Sequence, residues 1–86
     1  MADSFWQSLA RSLGLAPKAT RETTIQKYLA DLKSSNPDVR RSAAWSLGKM
    51  KPPPKEAVQA LTDATQDPSE FVRRSANWAL KIIRGG

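Results

Sequence analysis

The segment Val39-Arg40-Arg41-Ser42-Ala43-Ala44-Trp45-Ser46-Leu47 returns as Val72-Arg73-Arg74-Ser75-Ala76-Asn77-Trp78-Ala79-Leu80, identical at seven of nine positions and displaced by 72 − 39 = 33 residues. No other feature constrains the fold as much, because self-similarity at a period of this size marks stacked copies of one supersecondary unit. Each copy follows a helix-start signal, Asn36-Pro37 and Asp67-Pro68. Asn or Asp caps the first free N–H groups there, and Pro suits the first helical position.

A second periodic segment precedes each copy. Ile25, Tyr28, Leu29 and Leu32 recur at helical spacing in one, and Val58, Leu61 and Thr65 with small Ala57 and Ala64 in the other. The spacing therefore predicts helices over 23–33, 37–50, 54–65 and 68–83, paired as two hairpins, 23–51 and 54–83, in a repeat region spanning 23–84. Thr23 and Gln26 form a capping-box pattern for the first helix, and the run Pro52-Pro53-Pro54 stops the second and starts the third. Ahead of the repeats, Asp3 or Ser4 caps an amphipathic helix within residues 1–16 that carries Phe5, Trp6, Leu9 and Leu13, and residues 17–22 read as a linker. That helix has two readings, a cap over the first hairpin or a second contact for a partner.

The motifs 36–48 and 67–80 resemble HEAT repeats of the short, phycobilisome lyase-like kind, in which Asp/Asn-Pro is followed by Val-Arg and a small-residue run ending in Ala-Leu-Gly. The resemblance implies an all-α solenoid of two HEAT-like hairpins. It also implies that Arg40 and Arg73 are structural ladder elements bonded to acidic side chains, with Asp31, Asp38, Asp63 and Asp67 as candidates. The second copy departs from the pattern at three points: Asn77 stands for Ala44, Lys81 for Gly48, and two residues are inserted before Val72.

At 100° per residue, Val39, Ala43, Leu47 and Met50 form the apolar stripe of one repeated helix, and Val72, Ala76, Leu80 and Ile83 that of the other. Trp45 falls opposite its stripe with Arg41 and Lys49 one turn to either side, as Trp78 does with Arg74 and Ile82. In an array of this kind the second helix of each hairpin lines the inner face, so these residues are expected to form two aromatic ridges there. One reading makes them a partner-binding surface, since Trp and Arg are common anchors. The other makes them packing, each Trp lying flat over its neighbour's Arg stem.

Composition narrows the chemistry. Eighty-six residues suffice for one small domain, and a chain with neither Cys nor His lacks thiolate and imidazole ligands, nucleophiles and bases. No catalytic residue, metal site or cofactor is expected. The net charge of +6 favours acidic partners, and residues 21–51 carry most of it, with seven basic and three acidic side chains. The function expected is a soluble, cytoplasmic, non-enzymatic adaptor or assembly factor for an acidic protein, with a phycobiliprotein or photosynthetic complex suggested by the resemblance. Two alternatives are a nucleic-acid-binding module, using Arg41, Lys49, Lys51 and Arg74 with the interleaved Trp, and an accessory subunit of a bilin lyase.

Overall fold

A computed structural model describes residues 20–85, which form four helices and no strand: α1 (Arg21–Asp31), α2 (Pro37–Lys49), α3 (Lys55–Ala64) and α4 (Glu70–Ile83). Residues 1–16, with the expected helix bearing Phe5, Trp6, Leu9 and Leu13, lie outside the described residues. Helix α1 begins at Arg21, so residues 21 and 22 belong to the first hairpin and not to a 17–22 linker. Thr20 explains the difference: it is the N-cap, its Oγ1 accepting from the Thr23 N–H at 3.2 Å, and Thr23 sits inside the helix.

The two repeated helices start differently. Asn36 Oδ1 accepts the Asp38 N–H at 2.9 Å and Pro37 is the first helical residue, so α2 springs directly from the turn. Asp67 Oδ1 accepts the Ser69 N–H at 2.9 Å in the same manner, yet α4 begins only at Glu70. The two inserted residues are absorbed in that delay, and Pro68 precedes the helix. Helix α3 starts after Pro54 with no side-chain cap, and Arg21 donates to the Pro52 carbonyl, tying the start of α1 to the connection between the hairpins.

Helix α2 packs chiefly on α4, α4 also on α3, and α1 on α2. Leu47, Leu61 and Val72 are the largest fully buried side chains, surrounded by Ala44, Ala57, Ala76 and Ala79. Tyr28, Leu29, Leu32, Met50 and Ile83 close the cluster as half-buried neighbours.

Two positions differ from the expected stripes. Val39 is half-buried and, unlike Met50 and Ile83, does not pack against the core cluster, because α4 meets α2 on the side of Ala44, Leu47 and Gly48. Val58 is 37% exposed, because α3 turns Ala57, Leu61 and Ala64 inward and leaves position 58 one step, about 100°, away. Truncating Leu47 or Leu80 to Ala should cost about 2–5 kcal/mol. Val58→Ala should stay near the ±0.5 kcal/mol of a surface change. Urea denaturation monitored by circular dichroism distinguishes the two classes.

Candidate functional site

The crossing of α2 and α4 sets the site's geometry. Gly48 lies so close to α4 that a β-carbon there would stand 2.6 Å from Ala79 Cβ and 3.2 Å from Trp78 Cζ3. With no side chain between them, the helices approach closely enough for the residues beside the crossing to meet.

Trp45, three residues before Gly48, and Trp78, one residue before Ala79, stack face to face with ring centroids 3.8 Å apart and planes 9° from parallel. The two adjacent ridges expected from the sequence are thus joined by ring stacking into one platform. Its halves are unequal: Trp45 is 45% exposed, whereas Trp78 is half-buried and packs against the core. Each indole does pack flat on a neighbour, but the neighbour is the other indole and not an arginine stem.

Cations border the platform. Lys49 Nζ stands 5.7 Å from the Trp45 ring centroid, within cation–π range. Arg41 lines a shallow groove with Ser42, Trp45, Ser46 and Ser75. Arg74 is exposed and engaged with Glu70 one turn earlier at 2.8 Å, so its charge is partly answered at the surface. Among the described residues, neither Arg41 nor Lys49 has a carboxylate partner. Ile82, 38% exposed, extends the α4 side with apolar surface.

The serines of the groove and the engagement of Arg74 are the features sequence reasoning missed. Ser42 and Ser75 occupy equivalent repeat positions, which was the available signal. Glu70 lies four residues before Arg74 on one helix face.

Arg40 and Arg73 lie away from the platform. Arg40 forks onto Asp67 of the following unit, Nε to Oδ2 at 2.8 Å and Nη2 to Oδ1 at 3.1 Å, while its Nη1 donates to the Ser34 carbonyl at 2.7 Å. Arg73 copies only the last of these bonds, donating from Nη1 to the carbonyls of Asp67 and Pro68 at 2.7 and 3.0 Å. Among the described residues it holds no carboxylate, contrary to the ladder expectation. Arg40 reaches forward one unit to find its acid, and no such unit follows Arg73 among the described residues. Of the other candidate acids, Asp31 pairs with Lys27 at 3.3 Å and Asp63 accepts from Gln59 at 3.0 Å.

Burial pushes the Asp67 carboxyl up. The hydrogen bond from Arg40, the Ser69 N–H and the charges of Arg40 and Arg73 together outweigh it and hold the pKa below the usual 3.8. A depressed carboxylate contributes stability above its unfolded pKa and loses it as pH falls through the folded value. Acidification below about pH 4 should therefore weaken the joint between the hairpins. The pair is part-buried, so loss of one partner should cost about 1.5–3 kcal/mol at neutral pH, the range for hydrogen bonds to charged groups. Asp67→Asn should show this loss and a shallower acid decline in a series of urea melts between pH 7 and pH 2.

Among the described residues no helix is long and apolar enough to cross a membrane. A family model for HEAT repeats matches residues 7–85. No curated protein matches the chain.

Proposed function

The chain belongs to the HEAT repeat family, and from that membership we propose a non-catalytic adaptor that holds an acidic protein segment on the ridge formed by α2 and α4. Repeats of this family commonly serve as protein-interaction modules and are usually scaffolds without activity of their own. The observation that carries the reading is the platform itself. A large aromatic surface stands 45% exposed at Trp45, held rigid by a stacked neighbour and bordered by Arg41 and Lys49, which lack carboxylate partners among the described residues.

Each part has a physical task. Trp45 offers a rigid area to desolvate, which anchors a complex, while Arg41 and Lys49 govern encounter rate and charge preference. Arg74 contributes after exchanging Glu70 for a partner carboxylate. Trp78 supports Trp45 from below, and Ile82 widens the contact. The net charge of +6 favours acidic sequences. The short-repeat resemblance makes an acidic phycobiliprotein or photosynthetic complex the first natural partner to try.

Peptides rich in Asp and Glu with one aromatic anchor, tested against neutral scrambles by calorimetry, should bind the full chain and weaken as salt is added. Trp45→Ala should weaken binding by on the order of 2 kcal/mol, about thirtyfold in Kd, with loss of the stack costing only about 1 kcal/mol of stability. Trp78→Ala should lower the melting temperature as well, since that ring packs on the core. Random-sequence DNA bound more tightly than every peptide, with a steep salt slope, would replace this reading with the nucleic-acid one.

A further inference from the structure

Helix α4 carries a row of side chains that continues the platform along its whole length. Phe71, Ser75, Trp78 and Ile82 follow one another at spacings of 4, 3 and 4 residues. At 100° per residue they share a sector about 60° wide, centred about 90° from buried Val72. Phe71 is 61% exposed and Ile82 is exposed too, and neither packs against the core cluster. Between them Trp78 and small Ser75 are half-buried.

The repeat does not require this apolar row. Displaced by 33 residues, the same row on α2 reads Asp38, Ser42, Trp45 and Lys49, with charge at both ends. An equivalent helix is therefore built without a Phe or an Ile at those positions. Exposed, contiguous apolar surface that the fold does not need marks a place where something binds.

Cations border the row on both sides. Arg41 and Lys49 stand on the α2 side, and Arg74 and Lys81 follow the outer edge of α4, all four exposed. Arg74 engages Glu70, whereas among the described residues Arg41, Lys49 and Lys81 have no carboxylate partner.

We infer that α4 receives an amphipathic helix of an acidic partner, its apolar side along Phe71, Ser75, Trp78 and Ile82 and its Asp and Glu along both edges. The inference rests on the reading that an acidic segment binds this face, and it adds the segment's conformation together with Phe71 and Lys81. The spacing selects a helix. From 71 to 82 the row rises about 16 Å in three steps of about 5.5 Å, and a second helix with anchors 3 and 4 residues apart repeats those steps. An extended segment places side chains of one face about 6.6 Å apart and loses register by more than about 3 Å over the same row. Ser75 opens the row into the groove that Arg41, Ser42, Trp45 and Ser46 line, so one side chain of the incoming helix enters between Phe71 and Trp78. A second copy of the chain is a poor occupant, because it brings the same four cations and a net charge of +6 against their own kind.

Phe71 and Lys81 separate this inference from acidic binding alone, since neither belongs to the stacked platform. The probe is a peptide of about 15 residues with Leu at i, i+4, i+7 and i+11, Glu on both flanks and Ala elsewhere. Its isomer of identical composition has Leu at every second position. Titrated into the full chain by calorimetry, the first should bind at least about tenfold tighter than the isomer. Phe71→Ser should weaken the first peptide at least about fivefold and Lys81→Glu about threefold, with the isomer's affinity unchanged. Both side chains are exposed, so both variants should keep the parent melting temperature.

Equal affinity for the two peptides overturns the inference and leaves the acidic-segment reading standing. The same holds if Trp45→Ala weakens the helical peptide while Phe71→Ser and Lys81→Glu do not. Failure of both peptides overturns the inference as well, and it takes the acidic-segment reading with it when the Asp- and Glu-rich peptides with an aromatic anchor also fail. Sedimentation equilibrium of the chain alone should give a monomer. A dimer that Phe71→Ser disperses would assign the row to a second copy and overturn the inference equally.

Discussion

Everything that makes the two hairpins one object passes through a place where side chains are missing. Gly48 leaves no room for a β-carbon against Ala79, and Ala44, Ala76 and Ala79 surround that contact with the smallest apolar side chains, all fully buried. Close approach of two helices strengthens dispersion contacts along their length, and packing this tight tolerates little added volume. The spacing it imposes brings the indoles into contact. It also leaves Arg40 a single unit's reach from Asp67, so the polar joint and the aromatic joint both depend on the same absence of bulk.

Much of this was legible in the chain. The 33-residue displacement, the Asx-Pro starts and the apolar spacing located all four described helices, because each signal is local and physical. The details that escaped were settled by neighbours. Thr20 and Thr23 are both competent caps, and only the folded chain decides between them. A helical wheel separates an apolar side from a polar one, but it does not say which part of the apolar side meets which partner. Val39 was therefore placed too deep and Val58 on the wrong side. The stack was invisible for the same reason: the wheel put Trp45 and Trp78 at equivalent angles, but only the crossing distance turns equivalent angles into contact.

The two sides of the array are chemically unlike. Where α2 shows Ala44 and Gly48 to its neighbour, α4 carries Asn77 and Lys81, both exposed. A further helix packed on that side would have to desolvate an amide and an ammonium. Terminal units of repeat arrays require such a polar outer face to stay in water. The opposite side, with Val39, Ala43 and Ser46, has the apolar and small residues that a helix can cover. The molecule has a direction, set by two substitutions within one motif.

Stacked rings 3.8 Å apart and 9° from parallel also tie the shape of the array to its surface. A superhelix bends by changing the distance between successive units, and here that distance is spanned by two rigid plates in contact. Bending that draws α2 and α4 apart on this side must part them, and bending that presses the two helices together there must slide them. Curvature and the exposed area of Trp45 are consequently one mechanical variable. A ligand seated on the outer ring works against the flexing of the whole array, and a force that bends the array alters what that ring can hold.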